Sequence, residues 1–144
     1  MSDVDEITAL IHEYAFRLDA GDLDGVAALF EHAELGSTRH ERRRRGTVQA
    51  RTTYDRVIIY EDGTPRTLHQ ITNVTVRVAG AAATARSCFT VLQVTAQGLH
   101  PVLAGDYHDR FEQVDGEWRF TERIFDPRLL GDMSAHMQPP EGGS

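Results

Sequence analysis

The sequence lacks the features that mark several large classes of protein. Its 144 residues include a single cysteine, Cys88, which excludes an internal disulfide bond and a zinc site built on cysteines. No apolar run approaches the roughly 20 residues that span a bilayer, and the acidic N-terminus has no apolar core typical of a secretory signal. We therefore expect a cytoplasmic protein without membrane contacts, in keeping with a reducing compartment.

Positive charge is also scarce: the sequence has 15 basic and 22 acidic residues, and its net charge is −7. This balance argues against nucleic-acid binding, which requires positive charge against phosphates. The dense basic run from Arg42 to Arg45 is expected to lie in a solvated loop that contacts a partner or covers a site. The length predicts one domain over residues 1–130, followed by a flexible C-terminal tail over residues 131–144.

The N-terminal part has the hydrophobic periodicity of helices. Apolar residues recur at helical spacing from Val4 to Leu18, and Gly21 follows as a terminator. A second short helix is predicted after Asp22, and a third over residues 46–60. A short extended piece is expected between them, at residues 33–37.

From Thr67 onward the period changes to two, which is typical of half-buried strands. Turn signals divide this part into four predicted strands over residues 67–78, 82–95, 102–114 and 117–125. Consecutive hairpins make an antiparallel sheet. The sequence thus predicts an α+β fold, with N-terminal helices packed on a strongly curved, mainly antiparallel sheet that encloses a pocket for a small molecule.

Two ionisable residues stand out within these elements. Asp19 ends the first helix, where a carboxylate is unfavourable with the helix dipole by roughly 0.3–1 kcal/mol and needs compensation. His69 lies near the start of the first long strand. If the fold brings the pair together, the carboxylate orients the imidazole, and the imidazole becomes a general base. Asp19 as a simple turn residue and His69 as a structural histidine are the alternatives.

Two stretches, residues 14–30 and residues 109–120, resemble the opening helices and the closing hairpin of the SnoaL-like, nuclear transport factor 2-like superfamily. With the strand from His69 to Asn73, the resemblance covers nearly the whole chain to about Phe125. It implies a conical α+β barrel with a deep pocket, commonly a homodimer through the sheet. Because this superfold hosts many activities, residue-level matches must narrow the function.

Those matches favour the dehydratase branch of the superfamily. Scytalone dehydratase, the bile acid dehydratase and a dehydrochlorinase carry an aspartate and a histidine at the places of Asp19 and His69. Tyr14 falls where the bile acid enzyme has a tyrosine, and Arg123 matches an arginine of the dehydrochlorinase. One departure is that residues 86–90 offer no second histidine such as scytalone dehydratase has on this strand.

The catalytic candidates are therefore His69, Asp19, Tyr14 and Arg123, and the role of each has a structural alternative. Tyr14 lies on the apolar stripe of the first helix and either packs in the core or hydrogen-bonds a substrate oxygen. Simple alternation places Arg123 opposite the apolar side chains of its strand, so only a β-bulge would turn it inward. Five further residues are expected to bind substrate: Asn73, Tyr107, Ile71, Phe89 and Trp118.

No metal or other cofactor is required by this set of residues. Residues 106–109 contain metal-ligand side chains, but alternation divides them between two faces of the strand. The leading hypothesis is a dehydratase-type elimination on an apolar polycyclic or polyketide-like molecule. A polyketide cyclase or an isomerase would use the same groups. A non-catalytic binding or assembly module is the alternative from another class.

Overall fold

The computed structural model describes residues 1–139 of the 144. Three helices lie in the N-terminal part: α1 (Asp3–Asp19), α2 (Leu23–Ala28) and α3 (Gly46–Thr52). Six strands complete the fold: β1 (Glu34–Ser37), β2 (His40–Arg45), β3 (Thr67–Ala79), β4 (Ala82–Thr95), β5 (Gly98–Val114) and β6 (Glu117–Leu130). None of the described helices has the length and apolar character needed to cross a membrane.

The strands form one sheet in the order β2-β1-β6-β5-β4-β3. All neighbours are antiparallel except β1 and β6, which run parallel. Irregularities in the register interrupt β3 against β4, β4 against β5 and β5 against β6, and such bulges bend a sheet. The predicted α+β fold, with helices packed on a curved and mainly antiparallel sheet, is confirmed.

Helix α1 forms because its start is capped and one of its faces is apolar. The Ser2 hydroxyl accepts a hydrogen bond from the Asp5 amide, and the Asp5 carboxylate accepts one from the Ser2 amide. Ile7 and Ile11 are fully buried, whereas Val4 is 45% exposed. The apolar stripe that packs on the sheet therefore begins one turn later than predicted.

The end of α1 is set by a glycine that no other residue can easily replace. Gly21 has a φ of +78° and packs so closely on the Gly63 carbonyl that a Cβ would clash with it. The next residue, Asp22, caps α2 by accepting a hydrogen bond from the Gly25 amide at 2.9 Å. This junction holds the C-terminal end of α1 against the chain just before β3.

Two local predictions need correction. The basic run was expected in a loop, but His40–Arg45 forms the edge strand β2, because β1 supplies a pairing partner and Glu34 supplies an acceptor for Arg45 at 2.5 Å. The third helix was expected to reach residue 60, but α3 ends at Thr52. Residues 53–56 form turns, and the helix does not resume because Val57 forms a β-bridge with Met137.

Residues 131–139, which begin the segment predicted as a flexible tail, pack against the rest of the fold. The Ile58 amide donates to the His136 carbonyl at 2.9 Å, and the Gln138 amide donates to the Arg56 carbonyl at 2.7 Å. The structure thus shows packed chain beyond residue 130. Residues 140–144 of the predicted tail lie outside the described residues.

Candidate active site

A cavity of about 220 Å³ lies between the helices and the concave face of the sheet. Ser37 near one edge of the sheet and His69 near the other both line it, so the sheet curves around the space. The lining is mainly apolar and aromatic, and its apolar side chains include Leu18, Val57, Phe89, Val91, Leu103 and Met133. A pocket of this kind is where small molecules bind.

Asp19 and His69 are in direct contact at one wall of this cavity. The His69 Nδ1 atom lies 2.6 Å from Asp19 Oδ1, within hydrogen-bond range. The His69 side chain is 5% exposed and that of Asp19 is 17% exposed. His69 lines both the cavity and a groove outside it, whereas Asp19 lines only the groove.

The Asp19 carboxylate is held in place by two further hydrogen bonds. The Thr67 hydroxyl donates to Oδ1 at 2.9 Å, and the His69 backbone amide donates to Oδ2 at 2.8 Å. These donors compensate a negative charge at the C-terminal end of α1, where the helix dipole disfavours it. Because the start of β3 supplies both donors, the strand and the helix end fix the position of Asp19 together.

The contact with Asp19 decides which nitrogen of His69 is available for chemistry. A carboxylate only accepts hydrogen bonds, so Nδ1 carries the hydrogen and donates it to Asp19. Nε2 then keeps its lone pair, and the ring that carries it lines the cavity. An imidazole in this tautomer can take a proton at Nε2, and Asp19 stabilises the imidazolium that forms.

Tyr14 also lines the cavity, and it belongs to a pair of buried tyrosines. The Tyr54 hydroxyl donates to the Tyr14 hydroxyl oxygen at 3.0 Å. Burial raises the pKa of both side chains, so both hydroxyls stay protonated at neutral pH. With its oxygen occupied by Tyr54, Tyr14 is left with its own hydrogen to donate.

Arg123 is fully buried, and a β-bulge turns it inward. The register of β5 against β6 shifts between Arg110 and Phe111, and this adds one residue to β6 before Arg123. Arg123 therefore lies on the same face as Phe120, which simple alternation did not predict. Its Nε and Nη2 atoms donate to the two Asp109 carboxylate oxygens at 2.7 and 2.9 Å.

The structure does not place Arg123 at the surface of the cavity. Its guanidinium lies 3.8 Å from the centre of the Tyr107 ring and 4.4 Å from that of Tyr14, behind both rings. Burial lowers the pKa of Arg123, but the Asp109 carboxylate outweighs this effect and raises it overall. The predicted direct contact with substrate is therefore corrected to a contact with the tyrosines that line the cavity.

Two of the five residues expected to bind substrate line the cavity, and three do not. Phe89 and Tyr107 stack in the wall with ring centres 4.4 Å apart. Asn73 is exposed, because it has a positive φ at the bulge of β3 and its side chain turns toward Cys88. This bulge breaks the alternation on which the prediction for Asn73 relied.

The other two residues lie elsewhere on the sheet. Trp118 packs near the start of α1, where its indole nitrogen donates to Asp3 at 3.0 Å. The cavity is bordered instead by Phe125, farther along the same strand. Ile71 borders the outer groove beside α1, together with Asp19.

Two cavity histidines were not predicted. His136 comes from the segment after β6, and its ring centre lies 6.3 Å from that of His69. His40 borders the cavity from β2. Neither residue stands in a motif, because each reaches the cavity only through tertiary packing. The apolar residues Met133 and Met137 around His136 were the only available sequence signal for a packed segment.

A cluster of potential metal ligands lies outside the cavity. One ligand atom from each of Asp106, His108 and Asp126 lies within 4.8 Å of the others. Asp106, however, already accepts hydrogen bonds from Arg86 at 3.2 Å and Arg128 at 3.1 Å. Its charge is therefore balanced by arginines, and these residues are unsuited to a cation.

Comparisons with known proteins agree with this architecture. A family model described as a SnoaL-like domain matches residues 1–124. Rv3472 of Mycobacterium tuberculosis, a protein of unknown function, is 28% identical, with a TM-score of 0.74 over 89% of this chain and 73% of its own. A search of curated proteins found no match.

Two more distant structures are similar in fold. A candidate scytalone dehydratase from Novosphingobium aromaticivorans is 22% identical, with a TM-score of 0.71 over 100% of this chain and 99% of its own. Aln2 from a Streptomyces strain is 21% identical, with a TM-score of 0.65 over 84% of this chain and 87% of its own. At these identities the likeness concerns the fold alone.

Proposed function

Since the chain belongs to the SnoaL-like domain family, we propose that it is a cofactor-independent acid–base enzyme of the dehydratase type, acting through Asp19 and His69. The observation that carries this proposal is the 2.6 Å contact between Asp19 and His69 at the wall of an apolar cavity. An oriented imidazole with a free nitrogen facing a small-molecule site is the arrangement that general-base catalysis requires.

The proposed reaction is a β-elimination of water from a β-hydroxy ketone. His69 Nε2 takes the proton from the carbon next to the carbonyl, and that electron pair becomes part of the new double bond. The carbon–oxygen bond breaks, and the departing hydroxide takes a proton from the His69 imidazolium to leave as water. Asp19 stabilises the imidazolium between the two steps, and His69 is neutral again once it has given up the proton.

The tyrosines supply a donor for the negative charge that develops on the substrate oxygen. Tyr14 has its oxygen occupied by Tyr54 and its hydrogen free, and both rings are buried. A hydrogen bond aimed at a developing oxyanion in a site that excludes water is worth more than one in water. Arg123, stacked behind the ring, supports Tyr14 without touching the substrate.

The cavity bounds the size of the substrate. Its volume of about 220 Å³ lies below the roughly 300–1,000 Å³ of pockets for drug-sized ligands. The lining is mainly apolar and aromatic. We therefore propose an apolar substrate of one or two rings, at the small end of the polycyclic and polyketide-like class that the sequence indicates.

The same groups also suit a cyclisation or an isomerisation, because each of these reactions begins by removing a proton next to a carbonyl. A non-catalytic binding module remains the alternative from another class, supported by the cavity alone. A homodimer and a cytoplasmic location are part of the proposal. Light scattering on the purified protein and fractionation of the source cells test these two points.

The proposed reaction is tested with two small probes of known chemistry. The two-ring hydroxy ketone 3-hydroxy-1-tetralone loses water to give a naphthol, which mass spectrometry and fluorescence detect. The ketone 2-tetralone reports proton removal alone, through exchange of its acidic hydrogens in heavy water. We expect the protein to accelerate both processes, and His69→Gln to abolish the acceleration. Asp115→Asn changes an exposed turn residue and is the matched control.

The pattern of outcomes separates the candidate functions. Exchange without loss of water favours an isomerase or cyclase over a dehydratase. Binding of both ketones with neither process accelerated contradicts the enzyme and supports the binding module. Acceleration that persists in the His69→Gln protein would rule out the proposed base.

A further inference from the structure

His136 is a buried cavity residue that has no step in the reaction of His69. Only 4% of its surface is exposed, and its ring lies at 64° to the ring of His69 with the centres 6.3 Å apart. Within residues 1–139, neither ring nitrogen of His136 forms a hydrogen bond to the protein, and Nδ1 is buried. A buried polar side chain without a partner calls for an explanation.

The backbone around His136 is held from three directions. The Ala135 carbonyl accepts hydrogen bonds from Gln93 Nε2 at 2.9 Å and from the Tyr60 hydroxyl. The His136 carbonyl accepts one from the Ile58 amide at 2.9 Å. The imidazole is therefore carried on a fixed piece of chain, and none of these hydrogen bonds depends on the side chain of His136.

Burial also favours one tautomer of the His136 ring. A buried N–H without an acceptor is rarer in proteins than an under-satisfied acceptor. The favoured tautomer therefore has a bare Nδ1 in the wall and its hydrogen on Nε2, which is the ring nitrogen left to face the cavity. Burial, the larger cause, and nearby His69 together lower the pKa of His136 to about 4, while Asp19 acts in the opposite direction.

We propose that His136 is a second substrate-contacting residue, a neutral imidazole whose Nε2–H donates a hydrogen bond to the carbonyl or enolate oxygen while His69 takes the neighbouring proton. A neutral donor is suited to this place because a second imidazolium would repel the one that forms on His69. The proposal rests on the proposed function for its catalytic meaning. The claim that His136 donates a hydrogen bond to a ligand oxygen is independent of that function, because it rests on the position of His136 in the cavity wall.

Two matched ligands separate hydrogen bonding from packing. The probe 2-naphthol carries an oxygen on two fused rings, and naphthalene has the same rings without it. We expect His136→Phe to weaken 2-naphthol binding by about five- to tenfold, the usual worth of one hydrogen bond in a buried site, and to leave naphthalene binding nearly unchanged. His136→Gln, which keeps a donor, restores part of the loss. His32→Phe, at a half-exposed histidine, is the control for the substitution itself.

A ligand-free measurement tests the same assignment. In protein labelled with ¹⁵N-histidine, we expect the His136 signals at pH 7 to show a neutral ring with its hydrogen on Nε2, and the Nε2 signal to shift when 2-naphthol is added. A charged ring or a hydrogen on Nδ1 overturns the proposal. So does an equal loss of affinity for both probes in His136→Phe, or a wild-type protein that binds neither probe.

These outcomes are independent of those that test the dyad. If the ketone probes are not turned over but His136→Phe still discriminates between the two ligands, the proposed function fails and the His136 contact stands. If turnover depends on His69 while His136→Phe leaves 2-naphthol binding unaffected, the proposed function stands and the His136 contact fails.

Discussion

Two carboxylates of this fold each contact a basic side chain, Asp109 with Arg123 and Asp19 with His69, and the two pairs differ in their exposure to solvent and to the cavity. The side chains of Asp109 and Arg123 are 0% exposed, and the guanidinium contacts the Asp109 carboxylate and the rings of Tyr14, Tyr107 and Phe120. In the Asp19–His69 pair, the carboxylate is 17% exposed, and the imidazole lines the cavity with one nitrogen that has no hydrogen-bond partner among the described residues.

This difference suggests that Asp109 and Arg123 serve the stability of the fold and that Asp19 and His69 serve catalysis. Asp109 and Arg123 balance each other's charge away from the cavity and stabilise the wall behind Tyr14 and Tyr107, and only Nη1 of the guanidinium has no hydrogen-bond partner among the described residues. A pair that leaves one basic nitrogen free can exchange a proton with a ligand. We therefore expect substitutions in the first pair to act on stability, and substitutions in the second to act on turnover.

The largest effect is expected for turnover in Asp19→Asn. The amide can donate to His69 Nδ1, which favours the wrong tautomer and removes the charge that stabilises the imidazolium. We expect the loss of water from 3-hydroxy-1-tetralone to slow by roughly 10²–10⁴, measured in steady-state assays beside the Asp115→Asn control. A rate within about threefold of the wild type would show that Asp19 only closes a turn.

The next effect concerns the sealed pair and appears in the free energy of unfolding. Asp109→Ala leaves the Arg123 guanidinium buried without its carboxylate, which costs about 3–5 kcal/mol. The double variant Asp109→Leu/Arg123→Met removes both charges and should recover most of that loss. Urea unfolding of the three proteins makes the comparison. A single variant as stable as the wild type would mean that water reaches this pair.

The acid sensitivity of stability is expected to come partly from His136. Its pKa in the folded protein is lowered to about 4, so below pH 6.5 the unfolded chain binds a proton that the folded protein does not. Stability is therefore full above pH 6.5 and falls as the pH approaches 4, by on the order of 3 kcal/mol. His136→Gln should lack this part of the loss.

Urea unfolding at pH 7 and at pH 4 in both proteins measures this difference. His69 and Asp19, whose charges act on His136, are present in both proteins, so their own titration is common to both. Parallel losses of stability in the wild type and in His136→Gln would contradict the lowered pKa.

The smallest effect is expected for the hydroxyl of Tyr54. Tyr54→Phe keeps the ring but removes the donor to Tyr14, which should cost about 1 kcal/mol of unfolding free energy. A double-mutant cycle of Tyr54→Phe, Tyr14→Phe and the double variant, followed by urea unfolding, isolates the energy of the contact between the two hydroxyls. Additive losses in the cycle would show that the two hydroxyls do not act as a pair.

Local pattern was sufficient for most elements of this fold, but not for the edge strand β2, whose pairing depends on β1, or for the end of α3. The apolar spacing of α1, the change to period two at Thr67 and the hairpin turn at Asp115 all depend on neighbours in the chain, so they could be read from it. Asp19 and His69 stood out because one ends the first helix and the other lies near the start of the first long strand, and the resemblance to the SnoaL-like superfamily made them catalytic candidates. Their 2.6 Å contact follows from where those elements meet.

The residues that pattern alone misplaced are those next to an irregularity in a strand. A bulge before Arg123 reverses the alternation of β6 and buries a residue that the regular period places in water. A bulge at Asn73 in β3 exposes a residue that the regular period places on the cavity face. Because a strand has a period of two, one extra residue exchanges its faces, and nothing in the local sequence marks where that residue is inserted.

The amino-acid sequence by itself determined the fold class and most of the elements through short-range periodicity, capping and turns, and it indicated the two residues at the centre of the candidate site through their places in those elements and a family resemblance. Only the tertiary structure decided which side chains surround them. His136, Tyr54 and Phe125 come from three separate parts of the chain and meet at one cavity, because the bent sheet and the packed C-terminal segment close on the same space.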